Sequence, residues 1–421
     1  MGAKEGATEL DGPTVGAQRE RNCIRIIDAL RRRGLASRSD LARITGLSRT
    51  TVGSLVADLQ ACGVVVEHEE PARQRQPGRG RPPVFLRLDP AAGVVVGIDF
   101  DHDQVRVALA DLSSTVLGED CRKIDVDHSA SEAIDAAVAM VHELREAAGI
   151  DAAQLVGAGV GLAGPIDSRT GTVGSPLILP GWTGLAADRE LSRRLAIHVE
   201  VDNDANLGAL AEASLGAGRG RSDVIYVRLG AGVGAGLVLG GRLHHGAGGL
   251  AGELGHVQVR ADGVVCRCGN RGCLETIAAE SALQALLSPA RGHEVTTREI
   301  LDLVAEGDPG ARRVVGDAGR AIGRVLADLC NALNPEAIVV GGELAEAGEP
   351  LLRGIRESIE RFALPGAAQM VEVIPGELGE RAEVLGALAL IIGNTESLRS
   401  VGLARLAESG TAVAAEAVAV P

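Results

Sequence analysis

Cys266, Cys268 and Cys273 fall within eight residues, and His256 lies ten residues before the first of them. One imidazole and three thiolates at that spacing form the ligand set of a closed tetrahedral zinc site, with no position left for water. The residues between the cysteines, Arg267, Gly269, Asn270, Arg271 and Gly272, are turn-forming or charged rather than apolar. They suit a short loop wrapped on an ion better than buried free thiols. One structural zinc ion per chain, held by His256, Cys266, Cys268 and Cys273, is therefore the predicted cofactor.

Such a loop needs a scaffold. From Gly93 onward apolar strands alternate with helices: strands at 94–98 and 104–110, a helix over about 131–148, then a strand at 156–162. This is α/β organisation. Two later strands run into glycines, 224–229 into Gly230, Gly232, Gly234 and Gly236, and 337–340 into Gly341-Gly342. Strand-then-glycine units in two halves are the pattern of actin-like kinases, where glycines let backbone N–H groups approach phosphates. Glycine turns alone are a weak signal of that kind.

Charge divides the chain differently. Residues 1–88 hold 15 Lys and Arg against 10 Asp and Glu, while the rest holds 27 against 46, for a net charge of −14. A basic head on an acidic body assigns any polyanion to the head. Within it, Ser37-Arg38-Ser39-Asp40 is a capping box that starts one helix, and Ser48 caps another whose Val52, Leu55, Val56 and Leu59 share one face, ending at Cys62-Gly63. A preceding helix spans 21–33, with Ile24, Ile27 and Leu30 inward. With Gly46 in the turn, this is a helix-turn-helix. Runs 64–66 and 84–88 read as the strands of a wing, joined by a loop carrying Arg73, Arg75, Arg79 and Arg81.

Arg49, Thr50, Thr51 and Ser54 head the helix expected in the major groove, and Arg79 and Arg81, flanked by glycines, suit the minor groove. Double-stranded operator DNA is the predicted partner. Three Phe, one Tyr and one Trp in the whole chain exclude a stacking platform for single-stranded nucleic acid. The N-terminus has no signal-peptide pattern and no run is long and apolar enough to span a bilayer, so a cytoplasmic location is expected.

From about residue 20 to 393 the sequence resembles the ROK family, which contains repressors, open reading frames and sugar kinases. Its specific motifs are Gly252-Glu253-Leu254-Gly255-His256, the cysteine loop ending Cys273-Leu274-Glu275, and the glycine-rich segment 229–243; the winged head marks the regulator branch. The resemblance implies a winged helix-turn-helix followed by a two-lobed α/β, actin-like (ribonuclease H-like) sugar-kinase domain. It also implies that Asn203 and Asp204, in Val201-Asp202-Asn203-Asp204-Ala205-Asn206, contact sugar hydroxyls together with Glu253, His256 and Glu275. Carboxylates and an amide can satisfy hydroxyls as both donors and acceptors. Segments 161–167 and 180–182 resemble parts of the family that shape the sugar pocket; for Trp182, lobe packing and ligand contact stand as equal alternatives.

Kinases of the family carry Asp-x-Gly-Gly-Thr after the first strand, and here the segment is Asp99-Phe100-Asp101-His102-Asp103. Side chains occupy the space of phosphates, and each added carboxylate opposes a polyanion by about 4 kcal/mol at close range. Ala231 also stands where the kinases usually carry Thr. Asp204 thus remains as a vestigial general base, and no kinase turnover is expected.

The expected protein is a transcriptional regulator of carbohydrate metabolism, with repression the expected sign, that senses a sugar or sugar phosphate as a homodimer or homotetramer. The alternatives are an ATP-dependent, glucokinase-like sugar kinase with an accessory DNA-binding head, and a regulator answering a protein partner. The predicted divisions are an unstructured segment 1–19, the winged head 20–88, the two-lobed body 92–393 and a tail 394–421.

Overall fold

The computed structural model describes residues 15–68, 84–167, 170–173 and 177–393. The head contains α1 (Val15–Arg33), β1 (Ala36–Ser37), α2 (Arg38–Thr45), α3 (Arg49–Ala61), β2 (Val65–His68) and β3 (Phe85–Leu88). Both predicted caps form: Ser37 Oγ accepts from the Asp40 N–H while Asp40 accepts from the Ser37 N–H, and Ser48 Oγ accepts from the Thr51 N–H. Leu30, Leu41, Val52, Val56 and Leu59 are fully buried between the helices, each contributing about 1.5–3 kcal/mol.

The sequence reading of the head needs three corrections. Helix α1 begins at Val15, so 15–19 is helical, and Ile26 is buried where Ile24 is only half-buried. The wing is a three-stranded antiparallel sheet in the order β1-β3-β2, because the two residues before α2 pair with β3. The wing loop, with Arg73, Arg75, Arg79 and Arg81, lies outside the described residues, as do 1–14 and the tail 394–421.

The body repeats one topology. The first sheet comprises β4 (Val94–Phe100), β5 (Gln104–Asp111), β6 (Val116–Lys123), β7 (Leu155–Leu162) and, after the small hairpin β8 (Ile166–Asp167) and β9 (Thr172–Val173), β10 (Val199–Asn203). Its order is β10-β7-β4-β5-β6. The second comprises β11 (Val224–Leu229), β12 (Val233–Leu239), β13 (Arg242–Leu243), β14 (Ala337–Gly341) and β15 (Glu372–Pro375), ordered β13-β12-β11-β14-β15. In each, three strands form an antiparallel meander and the next two add in parallel on the other side of the first. The two-lobed α/β expectation is met.

Helices α4 (Ala130–Ala147) and α5 (Ala187–Leu195) cover the first sheet. Helices α7 (Glu275–Ala278), α8 (Glu280–Arg291), α9 (Thr297–Glu306), α10 (Pro309–Leu333), α11 (Glu349–Phe362) and α12 (Pro365–Met370) pack on the second. Between the sheets lie α6 (Asp204–Ser214) and α13 (Ala382–Ile392), packed on each other.

That central layer explains many of the glycines. A Cβ at Gly159 of β7 would meet Ala387 O of α13 at 2.0 Å, and one at Gly386 would meet Leu207 O of α6 at 2.0 Å. A Cβ at Gly236 would meet Ala205 O at 2.4 Å. Gly234 and Gly236 belong to β12, and Gly236 admits α6 to the sheet rather than lining a phosphate loop as the sequence suggested. Among the described residues no helix is long and apolar enough to cross a membrane.

Candidate functional site

The motif Gly252-Glu253-Leu254-Gly255-His256 works by contact with β12. A Cβ at Gly252, whose φ is +100°, would meet Ala235 O at 1.9 Å, and one at Gly255 would meet Val233 O at 2.3 Å. The two glycines press the loop onto the strand and Leu254 enters the core. Glu253 and His256 are left facing a cleft.

The cysteine loop then turns back on itself. Cys266 N–H donates to Asn270 O and Gly269 N–H to Cys266 O, at 2.7 and 2.9 Å. Gly272, with φ +66°, lies so close to Arg260 O that a Cβ would sit 1.7 Å from it. The folding brings together all four predicted metal residues, with ligand atoms of His256, Cys266, Cys268 and Cys273 within 4.8 Å of one another. Cys268 and Cys273 sulfurs are 3.7 Å apart, and Cys266 Sγ lies 3.7 Å from His256 Nδ1. Tetrahedral zinc with bonds of about 2.3 Å to sulfur has sulfur–sulfur edges of about 3.8 Å, so the donor set fits in kind and size. Burial and then the adjacent thiols push the Cys273 thiol up to about 12. Thiolates this close are stable around a cation.

His256 joins this cluster to the cleft, since Nδ1 faces Cys266 and Nε2 lies 3.8 Å from Glu253 Oε2. All five residues predicted to contact sugar, Asn203, Asp204, Glu253, His256 and Glu275, line one pocket with Ala163, Gly164, Pro165 and Ile178. Their freedom differs. Asn203 caps α6, accepting from the Ala205 N–H, and donates to Gly164 O at 2.9 Å, so only part of its amide remains for a ligand. Glu275 accepts two bonds from Arg267, at 2.8 and 3.0 Å. Glu253 has no such partner; burial, reinforced by the charges of Asp204 and Glu275, pushes it up to about 7. Trp182 is core: it is fully buried, donates to Val126 O at 2.9 Å and meets Phe100 edge-on.

The other wall holds residues that the sequence reading missed. Arg228, near the end of β11, carries its Nη2 3.0 Å from Asp101, and its Nε lies 3.3 Å from both Asp204 and Glu383 without the angle of a hydrogen bond to either. Tyr226 O–H donates to Glu383. Burial, aided by the charges of Glu383 and Asp101, holds the Asp99 carboxyl well above the usual range, and Asp204 and Glu383 are raised by the same burial. Asp101 alone is lowered: burial is the largest influence and opposes ionisation, but Arg228, the His102 N–H and the His102 charge together outweigh it. A signal existed for both missed groups, since Arg228 is the one charge in β11 and Glu383 the one charge in α13, and buried charges need partners.

The segment 99–103 is thus filled from within. Asp101 turns in to Arg228, His102 bonds Asp127 at 2.7 Å, and Asp103 turns out to Lys123 on the surface. Of the two added carboxylates, Asp101 is therefore turned inward and Asp103 outward.

In the head, Arg49, Thr50 and Ser54 are exposed. Thr51 is half-buried and hydrogen-bonded to Ser48, and Ser54 Oγ accepts from Arg19 at 3.1 Å. Cap and helix packing thus occupy part of the expected reading face.

A winged helix-turn-helix joined to a two-lobed sugar-kinase-like body is the architecture of a sugar-linked transcriptional regulator. The chain belongs to the ROK family, whose model matches residues 95–394, and residues 19–76 match the MarR family model. It is 30% identical over 356 residues to the xylose repressor of Bacillus spizizenii, covering 85% of this chain and 91% of that one. It superposes with a TM-score of 0.78 on a ROK family transcriptional regulator described as a homolog of the E. coli MLC protein, at 26% identity over 91% of this chain and 99% of that one. A ROK family glucokinase from Streptomyces griseus, in complex with glucose and AMPPNP, gives 0.62 at 30% identity over 71% of this chain and 99% of that one.

Proposed function

We propose that the protein is a DNA-binding repressor of carbohydrate metabolism whose body senses a sugar through Asn203, Asp204, Glu253, His256 and Glu275. The observation that carries this reading is the convergence of those five residues on one pocket, beside a segment 99–103 in which Asp101 is engaged by Arg228, His102 by Asp127 and Asp103 by Lys123. One zinc ion per chain, held by His256, Cys266, Cys268 and Cys273, fixes the imidazole so that its other ring nitrogen faces the ligand. A base such as Asp204, itself beside Arg228, has no positioned phosphoryl donor to serve.

Arg228 offers a route from ligand to DNA, because it ties β11 of the second sheet to Asp101 at the end of β4 in the first. A sugar bound at Asp204 acts on that tie and biases the lobe arrangement, provided it binds one arrangement better. Two heads of a homodimer or homotetramer then read a pseudo-palindromic operator, with Arg49, Thr50, Thr51 and Ser54 in the major groove and Arg79 and Arg81 in the minor groove.

The test is retention of operator DNA by the full chain, with a steep salt dependence, and its release by a sugar without ATP hydrolysis. Failure to retain duplex DNA at low salt, or sugar-dependent ATP turnover at ordinary kinase rates, overturns the proposal.

A further inference from the structure

We infer that His245 is a positioning residue that ties the Glu253–His256 loop of the second lobe to the Asn203 segment of the first, with a grip that depends on its proton. For its effect on ligand, this rests on the sugar-sensing reading above. Arg228 ties the lobes at their centre, since it joins β11 to Asp101 beside the end of β4. A further tie lies at the margin. His245, two residues after β13, places its Nε2 2.7 Å from Asp202 Oδ2 in β10. Both β13 and β10 are outermost strands of their sheets. An arginine keeps its charge throughout the physiological range, whereas a histidine changes its charge near neutrality.

Each end of this tie is built into a wall segment of the pocket. On the first lobe Asp202 is buried, and its Oδ1 accepts from the Asn203 N–H at 2.7 Å and from Asn206 Nδ2 at 2.8 Å. Its Oδ2 is left for His245, and because a carboxylate only accepts, Nε2 is the donor. Asn203 in turn holds Gly164 O and caps α6. On the second lobe the turn that begins at His245 closes on itself: the Ala251 N–H donates to His245 O at 3.1 Å, and Gly252 O accepts from the Ala235 N–H of β12 at 3.0 Å. Glu253 and His256 follow directly.

Among the described residues Asp202 is the charged group that bears on His245. The charged residues of α6, which packs on β13, turn elsewhere, Asp204 to Arg228 and Glu212 to the Ala217 and Leu378 N–H groups. Strand β12 carries no charge, and along its own segment His245 follows Arg242 and His244. The hydrogen bond to Asp202 holds the imidazolium to higher pH than usual; burial opposes this, and the Asp202 charge adds to it. The side chain is 42% exposed, so its proton exchanges with water. The closed tie therefore binds the extra proton, is strong below the raised value and weakens as pH rises through it. A ligand that needs both wall segments together binds the closed arrangement better.

The experiment joins histidine titration to ligand binding in the full-length, zinc-loaded protein. In isotope-labelled protein His245 is assigned by the NMR signal lost in His245→Gln, a variant that keeps an N–H donor and cannot take the charge. Its pKa is expected above the usual value of about 6.5, and to fall toward that value in Asp202→Asn. An ordinary value in the parent, or one unmoved in folded Asp202→Asn, overturns the tie. Calorimetric titration with aldopentoses and aldohexoses at about pH 6 and about pH 8, on either side of neutrality, reads the coupling. Affinity at the lower pH divided by that at the higher is expected to be on the order of fivefold larger in the parent than in His245→Gln, within the tenfold that one pKa unit allows. Comparing the two proteins cancels the pocket's own titrating groups, which both share. Equal ratios, in a variant that matches the parent in melting temperature and metal content, overturn the inference and leave the sensing reading standing. Binding of no sugar at either pH overturns the sensing reading and the coupling together, while the histidine titration still decides the tie.

Discussion

Glu253, His256, Arg267 and Glu275 reach the pocket from one stretch of 23 residues, whereas Asp204 and Arg228 reach it from α6 and β11, and Arg228 is met there by Asp101 at β4's end and by Glu383 of α13. The first wall is set by short-range geometry: two glycines seat the loop on β12, and a turn folds three thiols onto one imidazole. The second wall exists only when both sheets and both central helices have docked. One wall is held by a local ligand set, and the other by long-range ion pairing in a buried environment.

The largest effect is expected on the local wall. If the proposed zinc is bound, Cys268→Ser should abolish stoichiometric metal binding and lower sugar affinity by more than tenfold while operator affinity stays within about twofold, because a structural metal supplies the folding energy of the loop that holds it. Metal analysis with parallel sugar and DNA titrations reads this. Equal loss of both affinities would show that the loop is not separable from the fold.

On the dispersed wall, Arg228→Met leaves three carboxyls around an uncharged side chain and should cost about 3–5 kcal/mol near neutral pH. The pH dependence has a definite sign. Asp99, Asp204 and Glu383 keep their protons to higher pH in the native state than in the unfolded chain. Between the unfolded carboxylate range near about pH 4 and the raised native values, the native state binds more protons, so stability falls as pH rises. Denaturation across that window should show this fall in the parent protein and a steeper one in Arg228→Met. A flat or inverted profile would mean that these groups are not buried as acids.

The smallest effect is expected at Trp182, which touches neither wall's chemistry. Trp182→Phe removes the donor to Val126 O and should cost about 1–3 kcal/mol in thermal unfolding, with sugar affinity unchanged. A fall in affinity would return Trp182 to the pocket.

The difference between the walls also explains what could be read in advance. Caps at Ser37 and Ser48, the periodicity of Val52, Leu55, Val56 and Leu59, and the zinc ligand spacing are all interactions over a few residues, and each appears in the sequence as a pattern. The resemblance of 203–206, 252–256 and 273–275 to the ROK family supplied the five residues expected to contact sugar, and these converge on one pocket. The pairing of β1 into the wing was missed because two residues are too few to carry a period of their own. Gly236 was misread because the same residue serves phosphate approach and helix approach, and only the neighbour decides which.

What the sequence determined by itself is the winged head, the alternating α/β body, the grouping of His256 with Cys266, Cys268 and Cys273, and the charged side chains of 99–103. Each depends on the types and spacing of residues near one another along the chain. Only the tertiary structure decided that Arg228 and Glu383, single charges in apolar elements, meet Asp101 and Asp204, that Arg267 is spent on Glu275, and that Trp182 is core. Those facts depend on which buried charge finds which partner, and 155 residues separate Arg228 from Glu383, so docking of the lobes sets that choice.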